Sequence, residues 1–321
     1  ATEGAVDGDA AQARALRGKL EQYHLKTDPA AVVEAWPHLG SEDRALRYAA
    51  RTALEKQPVA QWADRAIAEK DEAARLGAIL SLARVGSKQH QAPAVKALSE
   101  LDYASLSPQG RFDLLRAYAL VFMRLGEPAE VQRGVIIEQI DKFFPAGNRA
   151  ENIELAQLLT YLGAPGIIER SVELMEAAPT QEEQIAMAKN IRNLEEGWNP
   201  ELHERYFKWF TRAANYKGGA SFRQFIDEIK GDAVKGLGDA EKQALAAILE
   251  AEPEGGGPVF TAKPRAFVKN WTMDDLKPLL ASGLEGGRDF RNGREVFGAA
   301  SCFACHRFGN EGGAIGPDLT S

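Results

Sequence analysis

Residues 301–306 read SCFACH and hold both cysteines of the 321-residue chain, three positions apart, with His306 directly after Cys305. Two cysteines and five histidines scattered at random over this length fall into that arrangement roughly once in ten thousand sequences. Three chemistries use such a pair of thiols. A structural zinc site needs four ligands, usually two Cys pairs or a Cys pair with a His pair, and this chain has neither a second Cys pair nor a His beyond position 306. A redox-active CxxC belongs after a strand in a βαβ setting, whereas the residues before Cys302, GREVFGAAS, read as helix. The third chemistry is covalent haem. Two thiols separated by two residues can add across the two vinyl groups of the porphyrin from one turn of backbone, and the adjacent imidazole then lies under the ring and gives one nitrogen to iron. The pattern favours haem c over zinc and thiol redox, with Cys302 and Cys305 as attachment residues and His306 as the metal ligand.

The rest of the chain offers no other constellation of reactive groups. His203 sits between Glu201 and Glu204, which has the form of a metal half-site. Without a second ligand at metal spacing, a solvated or partly buried helix face is the better reading. His24, His38 and His90 occur singly near expected helix ends, where an imidazole can meet exposed carbonyls. Glu182 and Glu183 follow Thr180 at an expected helix start, where the helix dipole favours acids. There is no GxxxxGK[ST], GxGxxG, GxSxG or HExxH, so phosphate, dinucleotide, hydrolase and metalloprotease readings lack an anchor. No residue is assigned a catalytic role.

The elements that must position the motif read as all-α. From Ala11 to about Leu249 the text is rich in Ala, Leu, Glu, Arg and Gln and is punctuated by Gly40, Gly86, Pro108, Gly126, Gly163 and Pro179. DRALRYAARTAL (43–54) overlays on DEAARLGAILSL (71–82), with Arg47 on Arg75, Ala50 on Ala78 and Leu54 on Leu82, and GRFDLLRAYAL is a looser third copy. The period is about 28 to 36 residues, and each unit reads as two short amphipathic helices that bury their apolar faces only by stacking. The repeats are degenerate, so an irregular helical bundle stays open beside a curved right-handed stack of antiparallel helix pairs over about 11–250.

Tyr206, Trp209 and Phe210 fall at helical spacing once Pro200 starts a helix, and are expected in a core. At 251–264, AEPEGGGPVFTAKP, Gly and Pro displace helix formers and mark the best domain boundary. Three segments follow: a helical repeat domain over 1–250, a Gly/Pro linker over 251–269, and a haem segment over 270–321 that lies outside the stack. In the last, Thr272 and Asp275 are spaced like a capping box.

Composition limits the partners. The formal net charge is −7 and there is no run of Lys or Arg, so no electrostatic footprint for nucleic acid or an anionic membrane surface is present. No window approaches eighteen consecutive apolar residues, which argues against a membrane span. The amino terminus, ATEGAVDGDAAQAR, lacks the basic and then apolar regions of a signal peptide, so any export signal is expected to be already absent.

The stretch NGREVFGAASCFACHRFGNEGGAIGPDLT resembles the amino-terminal half of a class I cytochrome c: a helix with Gly293 and Phe297, the attachment motif, then a Gly-rich loop leading to GPDLT. In that family the proline of the loop, here Pro317, offers its carbonyl to the other nitrogen of the ligating His, which fixes the ring and raises its basicity. Together with the helical repeats, the segment looks like the haem-binding modules of planctomycete-type (PVC-type) extracytoplasmic HEAT-repeat proteins, which often accompany a β-propeller dehydrogenase-like domain. The close resemblance covers only about 50 residues from Asn270 onward. It implies covalent haem c, electron transfer from a dehydrogenase domain or partner, and a periplasmic or otherwise extracytoplasmic location. An interaction scaffold with a structural or redox-sensing haem is the alternative, and haem chemistry such as peroxide reduction is a third, weaker one. In the family a second iron ligand, usually Met, comes tens of residues after CxxCH. The fifteen residues after His306 contain no Met, His, Lys or Cys. The second ligand is therefore expected from a longer parent chain, another chain, Met273 or a repeat-region His, or the position stays open to an exchangeable ligand.

Overall fold

The protein is described here from a computed structural model that covers residues 8–218, 221–251, 266–284, 287, 289–309, 311–313 and 315–320. Sixteen α-helices and two strands of two residues each are found among the described residues, so the chain is all-α. It divides into two compact units, Ala1–Ile167 and Ile168–Ser321. That division falls well ahead of the composition shift at 251–264, of which all but Ala251 lies outside the described residues. Residues 266–269, the end of the expected linker, are exposed and have no regular structure. None of the helices among the described residues is long and apolar enough to cross a membrane.

The first unit contains α1 (Gly8–Glu21), α2 (Ala30–Ala35), α3 (Arg44–Glu55), α4 (Ala63–Ala68), α5 (Glu72–Val85), α6 (Gln91–Ser99), α7 (Pro108–Leu125), α8 (Glu130–Ile140) and α9 (Arg149–Leu162). Each odd-numbered helix packs on the next: α1 on α3, α3 on α5, α5 on α7 and α7 on α9. In a second row α4 packs on α6 and α6 on α8, while α2, α4 and α6 also touch the odd-numbered helices that follow them. Small residues permit the close approach. Ala49, Ala50 and Ala53 of α3 and Ala78 of α5 are fully or almost fully buried, beside Leu20, Leu54 and Leu82. Burial of each large apolar side chain contributes about 1.5–3 kcal/mol.

The repeat seen in the sequence has a physical basis in the helix starts. Asp43 caps α3 by accepting from the backbone N–H groups of Ala45 and Leu46, and Asp71 caps α5 by accepting from Ala74. Ser107 caps α7 by accepting from Gly110, with Pro108 at the first helical position. Four residues after each cap stands an arginine that folds back onto the preceding loop. Arg47 donates to the Ser41 carbonyl at 2.5 Å, Arg75 to Glu69 at 2.6 Å, and Arg111 to Tyr103 and Ala104 at 3.1 and 3.0 Å. Arg75 is buried and also reaches the Ala97 carbonyl at 3.0 Å. The cap satisfies helix N–H groups and the arginine satisfies loop carbonyls, so one short pattern closes both sides of a tight entry.

Two substitutions measure this. Asp71→Ala is expected to cost about 1 kcal/mol, the usual effect of losing a cap. Arg75→Ala is expected to cost about 2–3 kcal/mol, because it leaves buried carbonyls unpaired. Denaturant titration of the intact chain gives both values, and equal small losses would show that water replaces Arg75.

The second unit contains α11 (Gln181–Ile191), α12 (Pro200–Ala213), α13 (Phe222–Lys235), α14 (Asp239–Leu249), α15 (Met273–Leu284) and α16 (Phe290–Ala299), with α10 (Ile167–Ala177) starting at its edge. Its core centres on α12, which packs on α13 and α14, while α11 packs on α13. Asn199 caps α12 by accepting from Leu202 at 2.8 Å, and Pro200 occupies the first helical position. Tyr206, Trp209 and Phe210 are buried, as their spacing predicts. Tyr206 donates to the Ala188 carbonyl at 2.9 Å, and Trp209 to Gln184 Oε1 at 2.9 Å.

Candidate functional site

The CxxCH segment follows directly from α16. Asp289 caps this helix by accepting from the Asn292 N–H at 3.0 Å. After Ala300 the chain turns through Ser301 in the left-handed region, with φ 62° and ψ 17°. For a residue with a side chain this conformation costs about 1–2 kcal/mol, and it launches the tight 3-10 turn Cys302–Ala304. In that turn the Cys302 carbonyl accepts from the N–H groups of both Cys305, at 3.2 Å, and His306, at 2.9 Å. Phe297 of α16 meets Phe303 edge to face, with centroids 4.8 Å apart, so the helix before the motif packs on the residue between the two cysteines. Both cysteines are free thiols, Cys305 exposed and Cys302 half-buried.

Beyond His306 the chain forms β1 (Arg307–Phe308), which pairs antiparallel with β2 (Glu311–Gly312). It then runs back along the motif. Gly313 donates to the Phe303 carbonyl at 2.8 Å, Gly316 to Cys305 at 2.7 Å, and Leu319 to Arg307 at 2.9 Å. This return path carries Pro317 to the histidine. His306 Nδ1 and the Pro317 carbonyl oxygen are 2.9 Å apart. A carbonyl only accepts, so Nδ1 is the donor in this contact, and in the neutral ring that leaves the lone pair on Nε2. Gly316 lies against the imidazole. A Cβ there would stand 2.8 Å from both Nδ1 and Cε1 of His306, so only glycine permits the approach.

Compared with protein-family models and with curated proteins, the chain matches none.

The four residues singled out by the sequence, Cys302, Cys305, His306 and Pro317, lie in one short turn and the loop that returns to it, and the last two are in direct contact. Met273, the internal candidate for a second iron ligand, is 63% exposed at the start of α15. The Thr272–Asp275 capping box ahead of it forms as spaced: Asp275 N–H donates to Thr272 Oγ1 at 3.3 Å, and Thr272 N–H donates to Asp275 at 2.9 Å.

His203 is buried rather than on a solvated face, stacked on Trp198 with ring centroids 4.7 Å apart. Its Nδ1 lies 3.5 Å from Glu241, on α14, and Glu201 and Glu204 are exposed. Burial pushes the imidazole below its ordinary pKa, although the Glu241 charge opposes the shift. No group of three or more His, Cys, Asp or Glu able to hold a metal ion occurs among the described residues. His24 Nε2 donates to the carbonyl of Ala49, in the middle of α3, at 2.9 Å, and the Ser87 N–H donates to His90 Nδ1 at 3.0 Å.

One neighbour of His306 brings contacts that the motif does not show. Arg307, next to His306, is buried and forms an ion pair with Glu182 of α11 at 2.6 Å and another with Asp318. It also donates to the backbone carbonyl of Lys217. Burial alone would raise the Glu182 carboxyl, but hydrogen bonds from Arg307, from its own backbone N–H and from Gln181, with the Arg307 charge, hold it below the ordinary carboxylate value. The Asp318 carboxyl is lowered by the Thr320 hydroxyl first, against burial, and then by the Thr320 N–H and Arg307. Both shifts have the same sign, so this cluster contributes stability at neutral pH that is lost as pH falls through the lowered values. Glu182 is 125 residues from Arg307 in the chain, and at the level of sequence it reads only as an acid in a first helical turn.

Proposed function

We propose that the chain is an electron-transfer protein, a HEAT-like helical-repeat scaffold carrying a class I cytochrome c segment whose haem is attached through Cys302 and Cys305 and ligated by His306. The observation that carries this reading is the hydrogen bond from His306 Nδ1 to the Pro317 carbonyl. It fixes one tautomer and leaves Nε2, the nitrogen nearer the ring tip, as the electron-pair donor to iron.

Three further features fit haem. Gly316 brings backbone against the imidazole where any side chain would displace it. Both thiols are unpaired and accessible, as covalent attachment requires. Phe308, Ile315 and Leu319, in the segment after His306, are 58%, 86% and 40% exposed, apolar surface that a macrocycle removes from water. When bound, haem supplies a one-electron couple whose potential depends on ligand basicity, burial and hydrogen bonding. The protein's own contribution is to hold the proton on Nδ1, to keep the imidazole from turning and to anchor the CxxC turn on α16 through Phe297.

The two rows of packed helices in the first unit, with the repeated cap and arginine at the starts of α3, α5 and α7, support the helical-repeat reading. On this proposal a dehydrogenase domain or partner donates electrons singly, a later carrier accepts them, and the protein works where haem c is attached, in the periplasm or another extracytoplasmic space. The chain matured by cytochrome-assembly machinery should give the absorption band of haem c in alkaline pyridine, and its ferric form should be reduced rapidly on mixing with a reduced dehydrogenase partner. Absence of the band sinks the haem reading. A haem that binds the partner tightly without being reduced sinks electron transfer in favour of a scaffold.

A further inference from the structure

The residue after the motif joins two things that the sequence keeps apart. Arg307 Nη2 donates to Glu182 Oε1 at 2.6 Å and to Asp318, and Nη1 donates to the Lys217 carbonyl. On one side this guanidinium grips the helical part of the second unit. The Lys217 carbonyl also accepts from Gln181 Nε2 at 2.7 Å, and the Lys217 N–H donates to Gln181 Oε1 at 3.2 Å, so the first turn of α11 and the chain beyond α12 form one rigid acceptor. On the other side Asp318 adjoins Pro317, the residue whose carbonyl holds His306. Pro317 therefore lies between the hydrogen bond from Gly316 to Cys305 and that from Leu319 to Arg307, with the ion pair of Arg307 and Asp318 beside it. Asp318 is further fixed by the Thr320 N–H at 2.9 Å, and Thr320 Oγ1 accepts from Gly309 at 2.9 Å.

We infer that Arg307 is a positioning residue: it docks the CxxCH segment on α11 through Glu182 and, through Asp318, holds the Pro317 carbonyl on His306 Nδ1. Three acceptors converge on one buried guanidinium whose planar fork suits carboxylates. Removing one carboxylate leaves a buried cation undercompensated, and the segment that carries it loosens. A looser Pro317 carbonyl weakens the hydrogen bond at Nδ1 and makes Nε2 a poorer donor. This step rests on the haem reading, since only a bound iron registers the donor strength of Nε2, but the docking itself does not.

The experiment uses the full 321-residue chain in two forms. In the haem-free form, carrying Cys302→Ala and Cys305→Ala, Glu182→Gln and Arg307→Ala are each expected to speed amide hydrogen exchange by about tenfold or more over 306–309 and 316–320. Exchange within α12 should stay unchanged, which shows that the fold is kept. The imidazole nitrogen resonances of His306 should move toward those of a free histidine in the same variants, a signal that a purely structural contact would leave alone. Glu182→Asp, which keeps the carboxylate, should restore the wild-type resonances in part. In the haem-loaded form, Glu182→Gln should raise the midpoint potential, because a weaker donor and one fewer negative charge both disfavour ferric iron. Unchanged exchange over both segments overturns the docking, and faster exchange with unmoved His306 resonances overturns the positioning role. A wild-type chain that takes no haem would end the haem reading, with the exchange and resonance results still deciding the role of Arg307.

Discussion

Cys302→Ala with Cys305→Ala is expected to abolish covalent haem completely in chain matured by cytochrome-assembly machinery. On the proposed attachment each thiol would form one thioether bond, so the double variant would retain no linkage that survives denaturation. Haem staining after denaturing electrophoresis and the intact mass read this directly. Wild-type chain should stain and carry the added mass of one haem, and the double variant should do neither. Single variants discriminate further. With one thiol left, one vinyl group stays unsaturated, and the alkaline pyridine band should shift away from that of a doubly attached haem. The fold provides the control, because both cysteines lie in a turn with one half-buried and one exposed side chain, outside the packed core. Thermal unfolding of the double variant without haem should therefore match that of wild type without haem. Haem stain that persists in the double variant would show attachment elsewhere and overturn the assignment of both residues.

Trp209→Ala is expected to lower stability by about 3–5 kcal/mol, the range for truncating a large buried aromatic. Trp209 is 3% exposed, stacks edge to face on Phe210 at 4.9 Å, and donates its indole N–H to Gln184. The loss is mainly one of packing. Gln184 Oε1 also accepts from Arg212, at 3.0 Å, and from Tyr216, so it is not left bare when the indole goes. Trp209→Phe keeps much of the ring area and should cost clearly less than Trp209→Ala. Denaturant unfolding followed by far-ultraviolet circular dichroism gives both numbers. An unchanged midpoint in Trp209→Ala would remove the residue from the core and return the aromatic cluster to consideration as a ligand site.

The helical class and the helix starts at Thr180 and Pro200 were legible because their causes are local, and the same local cause acts at other starts. Asp43, Asp71, Ser107, Asn148, Thr180 and Asn199 cap the helices that follow them with their own side chains, and Pro108 and Pro200 occupy first helical positions. The core role of Tyr206, Trp209 and Phe210 followed from one helical face. Other features resisted the same treatment. His203 is buried because Trp198, before the helix, folds over it and α14 brings Glu241 alongside, and neither contact is within one turn of the residue. The boundary between compact units falls between Ile167 and Ile168, at the start of α10, where composition does not change.

At the candidate site the division is sharp. Sequence by itself determined that two thiols and an imidazole stand at fixed spacing, which backbone connectivity alone keeps within one turn, and the proposed attachment chemistry rests on that spacing. It also determined that a glycine and a proline follow at 316 and 317. That Pro317 meets His306 was expected from the resemblance alone, and its physical cause is tertiary, because the His306–Pro317 hydrogen bond needs the chain to double back over eleven residues. The tertiary structure alone decided, too, that a buried arginine beside His306 is held by Glu182 and the Lys217 carbonyl. A guanidinium can be buried only where carboxylates and carbonyls from several elements converge on it, and no local pattern encodes a partner 125 residues away.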